Sequence, residues 1–168
     1  MNNYVTPSRM PDRFDSTPSR SKSATCFDEG NFLLADHSQD GAVLLRRAFK
    51  EAGIAKPLQV VPTGEEAIGY LRGDGIYSNR TEYPMPNVVL LDLNLHRKSG
   101  FEVLGWIRTQ PALKSLVVIL LTASNRSADA DRAHDLGANF YLTKPGSFDQ
   151  LVGLSRCLCT WLEANHFS

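Results

Sequence analysis

Four polar residues stand at comparable places in the chain, each at the end of a short apolar run. Asp36 follows Phe32–Ala35, Asp92 follows Val88–Leu91, and Thr122 follows Leu116–Leu121. Lys144, with Pro145 after it, stands just beyond the run Asn139–Leu142. Two carboxylates brought together repel, so a hard cation belongs between them. Mg²⁺ suits that role because it takes oxygen ligands and keeps several waters. A lysine and a threonine hydroxyl facing a carboxylate supply a cation and a hydrogen-bond donor for a phosphoryl group attached there. No glycine-rich phosphate loop of the P-loop or dinucleotide type is present, which argues against nucleotide binding.

These residues converge only if the elements carrying them form one sheet. Five strand-length apolar runs lie at 32–35, 58–61, 88–91, 116–121 and 139–142, bounded by turn residues, as buried parallel strands should be. Helical periods separate them. Val43, Leu44, Arg47, Ala48 and Glu51 precede Gly53, a natural helix stop, and Thr63-Gly-Glu-Glu66 opens a second helix with an N-cap threonine and a glutamate three residues on. Residues 101–108, 128–136 and 148–162 supply three more. Strands alternating with helices imply βαβ units and a doubly wound α/β sheet, whose ligands sit at the carboxyl ends of the strands.

Composition sets the outer bounds. The 168 residues fit about one domain. Eighteen basic and 18 acidic residues cancel, so a sequence-independent nucleic-acid binder is disfavoured. No apolar run approaches the roughly 20 residues of a membrane-spanning helix, and 1–20 lacks the apolar core of a signal peptide. Three cysteines, Cys26, Cys157 and Cys159, are too few for a disulfide framework or a zinc site, and the last two read as buried structural thiols. Together these features predict a cytoplasmic protein with no membrane or nucleic-acid partner. Residues 1–30, rich in Pro, Ser and Thr, read as a disordered or loosely attached extension, and 31–168 as the folded domain.

The segment Asp92-Leu-Asn-Leu-His-Arg-Lys-Ser-Gly100 resembles the phosphoacceptor loop of response-regulator receiver domains. Leu120-Leu-Thr-Ala-Ser124 and Tyr141-Leu-Thr-Lys-Pro145 resemble the family's other signature segments. The insertion 73–86, the Ser-Asn-Arg stretch after Thr122 and the chain end Trp161-Leu162 resemble the small single-domain regulators paired with bacterial and cyanobacterial phytochromes. The resemblance implies a flavodoxin-like (βα)5 sheet of order 2-1-3-4-5 and a signalling protein rather than an enzyme. Asp92 would accept a phosphoryl group from a sensor histidine kinase of the phytochrome type. Asp36, Asp92 and the carbonyl of Asn94 would hold Mg²⁺, Lys144 would pair with the acyl phosphate, and Thr122 would hydrogen-bond one of its oxygens. Thr122 and Tyr141 would form the switch, Asn94 and Ser124 would flank the path of hydrolytic water, the chain would form a homodimer, and output would run through protein contacts or a phosphorelay. The alternative is a degenerate receiver that signals by binding alone.

Two departures favour that alternative. Receivers carry an acidic pair at the end of the first strand, and here the first member is Ala35; His37, the substitute the sequence offers for the missing carboxylate, is a poor partner for magnesium. His96 stands where the family has proline, which predicts a more mobile loop.

Overall fold

A computed structural model describes residues 30–165. The reading of 1–30 as a loose extension therefore lies, except for Gly30, outside the described residues. Five parallel strands, β1 (Phe32–Ala35), β2 (Leu58–Val61), β3 (Val88–Asp92), β4 (Val117–Thr122) and β5 (Phe140–Thr143), form one sheet in the order β2-β1-β3-β4-β5. Between and after them run α1 (Gln39–Glu51), α2 (Gly64–Arg72), α3 (Gly100–Thr109), α4 (Ser127–Asp135) and α5 (Phe148–Ala164). The flavodoxin-like order expected from the sequence is the one found. β4 and β5 begin and end one residue later than their apolar runs suggest.

Alternation along each strand divides the core into two layers, because successive side chains point to opposite faces. Leu33, Ala35, Val89, Leu91, Val118 and Leu120 pack with α2 and α3 residues such as Ala67, Leu71, Val103 and Leu104. Phe32, Leu34, Val88, Leu90, Val117 and Ile119 pack with Leu45 and Phe49 of α1 and with Leu158 and Leu162 of α5. Both faces are covered, so the strands read as unbroken apolar runs. The C-terminal aromatic closes this second layer: Trp161 meets Phe140 edge-on at 4.9 Å, and Leu162 is fully buried.

Side-chain caps fix the starts of α1, α2, α3 and α5. Ser38, Thr63, Ser99 and Ser147 each accept a hydrogen bond from a backbone N–H in the first turn of their helix. At Ser99 the cap is reciprocal, with Glu102 accepting from the Ser99 N–H at 2.8 Å. Thr63 caps Glu66, but the Glu66 carboxylate accepts from the Tyr77 hydroxyl at 3.2 Å. The reading of two buried thiols holds for burial at Cys159 and is corrected at Cys157, which is half-buried.

Candidate functional site

Strand register builds the site. Ala35 pairs with Leu91, so the residues that follow, Asp36 and Asp92, emerge side by side where β1 meets β3. Asp92 pairs with Leu121, the residue before Thr122, and Thr122 pairs with Thr143, the residue before Lys144. The Lys144 N–H then donates to the Thr122 carbonyl at 2.7 Å, which carries the lysine over the edge of the sheet. The strand order changes direction between β1 and β3, where open α/β sheets bind their ligands.

The two carboxylates are 6% and 2% exposed, and Lys144 answers both. Its Nζ donates to Asp36 Oδ2 at 2.9 Å and to Asp92 Oδ2 at 3.0 Å, joining positions 108 and 52 residues away in sequence. Desolvation alone would lower the lysine pKa. The hydrogen bonds and charges of the two carboxylates outweigh it, and the pKa is raised. The second oxygens are held by backbone: Ser38 N–H donates to Asp36 Oδ1 at 2.8 Å, and Asn94 N–H to Asp92 Oδ1 at 3.1 Å. The latter bond sets the Asn94 peptide beside Asp92. His37 lies at the rim, its Nδ1 3.6 Å from Asp92 Oδ2 and 3.8 Å from Asp36 Oδ1.

Thr122 is fully buried and is linked to Tyr141 through the loop after β4. Ser124 N–H donates to Thr122 Oγ1 at 3.0 Å, and the Tyr141 hydroxyl donates to the Ser124 carbonyl at 3.1 Å. Ser124 Oγ donates in turn to Asp129 in the first turn of α4 at 3.0 Å. Burial is the main cause raising the Tyr141 pKa, so its hydroxyl stays a donor at neutral pH.

The loop after β3 is tied down where a missing proline predicted mobility. The His96 carbonyl accepts from Lys98 N–H at 2.8 Å and Gly64 N–H at 3.4 Å, and Thr63 and His96 form a parallel bridge. Two glycines permit this closeness. A Cβ on Gly100 would lie 2.4 Å from the Asp92 carbonyl oxygen, and one on Gly64 would lie 2.2 Å from that of Lys98. Gly64 did not stand out in the sequence, because its close approach is to Lys98 on a distant segment.

All the residues singled out for chemistry therefore lie at one edge, with Asp36, Asp92 and Lys144 in direct contact and Thr122 coupled to Tyr141. Ala35 is fully buried in the apolar layer beneath, so a methyl group fills the place of the second acid. The donor set fits a divalent cation: carboxylate oxygens from Asp36 and Asp92 and one His37 nitrogen lie within 4.8 Å of one another.

Fold and pocket define a doubly wound α/β domain whose paired acids are closed by a lysine at the switch point. Residues 32–155 match the family model described as response regulator receiver domain, and the chain belongs to that family. It is 35% identical over 141 residues to response regulator Rcp1 of Synechocystis sp., covering 81% of this chain and 94% of that protein. Among solved structures it resembles the phosphorylated cyanobacterial phytochrome response regulator RcpA, with TM-score 0.74, 30% identity and coverage of 82% and 96% of the two chains. The Mn²⁺-bound form of Rcp1 gives TM-score 0.71 and 34% identity, with coverage of 80% and 95%. Among the described residues no helix is long and apolar enough to cross a membrane.

Proposed function

We propose that this receiver domain takes a phosphoryl group on Asp92 from a sensor histidine kinase and signals through phosphorylation-dependent protein contacts. The observation that carries the reading is the pairing of Asp92 with Lys144 beside Asp36 at the switch point. A carboxylate oxygen of Asp92 attacks the phosphorus of a phosphohistidine, the P–N bond breaks, and the acyl phosphate forms as the histidine leaves. Positioning and electrostatics carry such a transfer. A divalent cation, Mg²⁺ in this reading, would be held by Asp36, Asp92 and the Asn94 carbonyl, and would neutralise charge on the incoming phosphoryl oxygens. Lys144 then trades part of its contact with the carboxylates for a phosphoryl oxygen.

Thr122 accepts from Ser124 N–H, which leaves its hydroxyl hydrogen to donate to the phosphoryl group. Movement of Thr122 toward that group pulls on Ser124 and so on the Tyr141 hydroxyl and the start of α4. Phosphorylation thereby favours one of two arrangements of the α4–β5–α5 face. Asn94 and Ser124 flank the path of hydrolytic water. Similarity to RcpA and Rcp1 supports a phytochrome-type kinase as partner, and a cytoplasmic place of action follows from that partnership. Self-association is the proposed output; Leu162 is fully buried and takes no part in a homodimer interface, whereas Trp161 is half-buried against Phe140.

Intact-mass measurement after incubation with acetyl phosphate and Mg²⁺ tests the reading. The chain should gain about one phosphoryl mass and Asp92→Asn none. No gain with the fold intact would leave the binding-only receiver as the function.

A further inference from the structure

His37 belongs to the pocket and has no part in phosphoryl transfer as described above. Its Nδ1 is 3.6 Å from Asp92 Oδ2 and 3.8 Å from Asp36 Oδ1, too far for strong hydrogen bonds. Those separations are close to the spacing of ligands on one ion: two donors each about 2.1 Å from a tetrahedral centre sit roughly 3.4 Å apart. One ligand atom from each of Asp36, His37 and Asp92 falls within 4.8 Å of the other two.

The backbone and a second ring hold His37 in place. It sits between Asp36, whose N–H donates to the Val61 carbonyl, and Ser38, whose N–H donates to Asp36 Oδ1 and whose hydroxyl caps α1. The His96 ring meets it edge-on, with centroids 5.4 Å apart and planes at 75°. Lys144 lies on Asp36 Oδ2 and on Asp92 Oδ2, and Ser38 N–H on Asp36 Oδ1, so an ion beside the imidazole takes over Asp92 Oδ2 from the lysine and shares Asp36 Oδ1 with the backbone. The imidazole is 44% exposed, and an ion reaches it directly from solvent.

Ligand chemistry then decides which ion is favoured. Mg²⁺ prefers oxygen and gains little from imidazole, whereas zinc and nickel bind it well. With Ala35 in place of a second acid, the pocket has fewer oxygens to offer and a nitrogen to add. We propose that His37 is the third protein ligand of this pocket, and that the pocket selects a zinc-type divalent transition ion over Mg²⁺. The inference rests on the reading of Asp36 and Asp92 as a cation site. A zinc-type ion would displace Mg²⁺ at the position used for phosphoryl transfer.

Calorimetric titration of the full chain with Zn²⁺ and with Mg²⁺ tests this, alongside His37→Ala, His37→Gln and Asp36→Asn, each checked for fold by circular dichroism. Both His37 variants should lose at least tenfold in Zn²⁺ affinity while Mg²⁺ affinity stays within about twofold, and Asp36→Asn should weaken both ions. Pulsed electron paramagnetic resonance of the Mn²⁺-loaded chain should show a nitrogen coupling that vanishes in His37→Ala. Unchanged Zn²⁺ affinity in the His37 variants, or Zn²⁺ binding that survives Asp36→Asn in full, overturns the assignment of His37. Failure of the parent chain to bind either ion overturns the cation site itself, and with it the proposed phosphoryl transfer.

Discussion

At the carboxyl edge of the sheet one lysine answers two buried carboxylates; at the amino edge one arginine answers only oxygens of uncharged groups. Arg108, at the end of α3, donates to the carbonyls of Gly137 at 2.9 Å and Leu116 at 3.0 Å, and to Asn139 Oδ1 at 2.9 Å. Asn139 Oδ1 also accepts from Val118 N–H at 2.9 Å, so the side chain clamps the start of β4 as well. Burial lowers the Arg108 pKa, and among the described residues no carboxylate is in ion-pair contact with it. Its partners are fixed dipoles that no second cation can take over. Lys144 faces full charges, which a metal ion or phosphoryl group can share. The amino edge is built to hold one arrangement, and the carboxyl edge to exchange one cation for another.

That contrast is open to breaking. Lys144→Met leaves two buried carboxylates facing each other and should cost about 3–5 kcal/mol in chelator. Millimolar Mg²⁺ should restore more stability to this variant than it adds to the parent, as read by urea unfolding. Equal gains would show that lysine and metal do not share the site. Arg108→Met strands several carbonyls and should cost about 2–3 kcal/mol, with no Mg²⁺ dependence and with phosphorylation retained. Gly100→Ala should cost about 1–2 kcal/mol, because the new methyl must push α3 off the Asp92 carbonyl. It should also slow phosphorylation from acetyl phosphate, which Arg108→Met should not.

The carboxyl edge was far more legible in the sequence than the amino edge, and the reason is physical. Asp36, Asp92 and Thr122 each interrupt an apolar run, and parallel strands in register carry such interruptions to the same edge. Arg108 interrupts nothing. Its partner Asn139 lies 31 residues away, and only the folding of α3 back onto β4 joins them. The same holds for the insertion 73–86, whose contacts no local pattern announces. In the structure Tyr77 and Tyr83 from this insertion pack against Tyr70 of α2, with centroids 5.0 and 6.1 Å from its ring, and Arg80 donates to the Tyr70 carbonyl at 2.8 Å. Thr63 and Ser99 are each followed three residues later by a glutamate, and only the first pair stood out in the sequence. Only the second pair closes reciprocally, since Tyr77 takes the carboxylate of Glu66, a contact no local pattern reveals.

The smallest effect separates that tyrosine cluster from the lysine pocket by pH. Tyr70 is 1% exposed and donates to the Pro84 carbonyl at 2.9 Å. Burial pushes its pKa from 10.0 to about 12, against an opposing pull from Arg80. A phenol whose folded pKa is raised binds its proton more tightly in the native state. Its contribution is therefore complete below pH 10 and is lost as pH rises from 10 toward 12. Lys144, also raised, contributes fully below its ordinary value of 10.5 and loses that contribution at higher pH. Tyr70→Phe should cost about 1 kcal/mol at pH 8 for the lost hydrogen bond, and its stability should then fall less steeply than the parent's between pH 10 and 11. Urea midpoints across that range, with and without Mg²⁺, assign the two slopes: the Tyr70 slope should be indifferent to the metal. A parallel fall in parent and Tyr70→Phe would place the whole alkaline loss outside the tyrosine cluster.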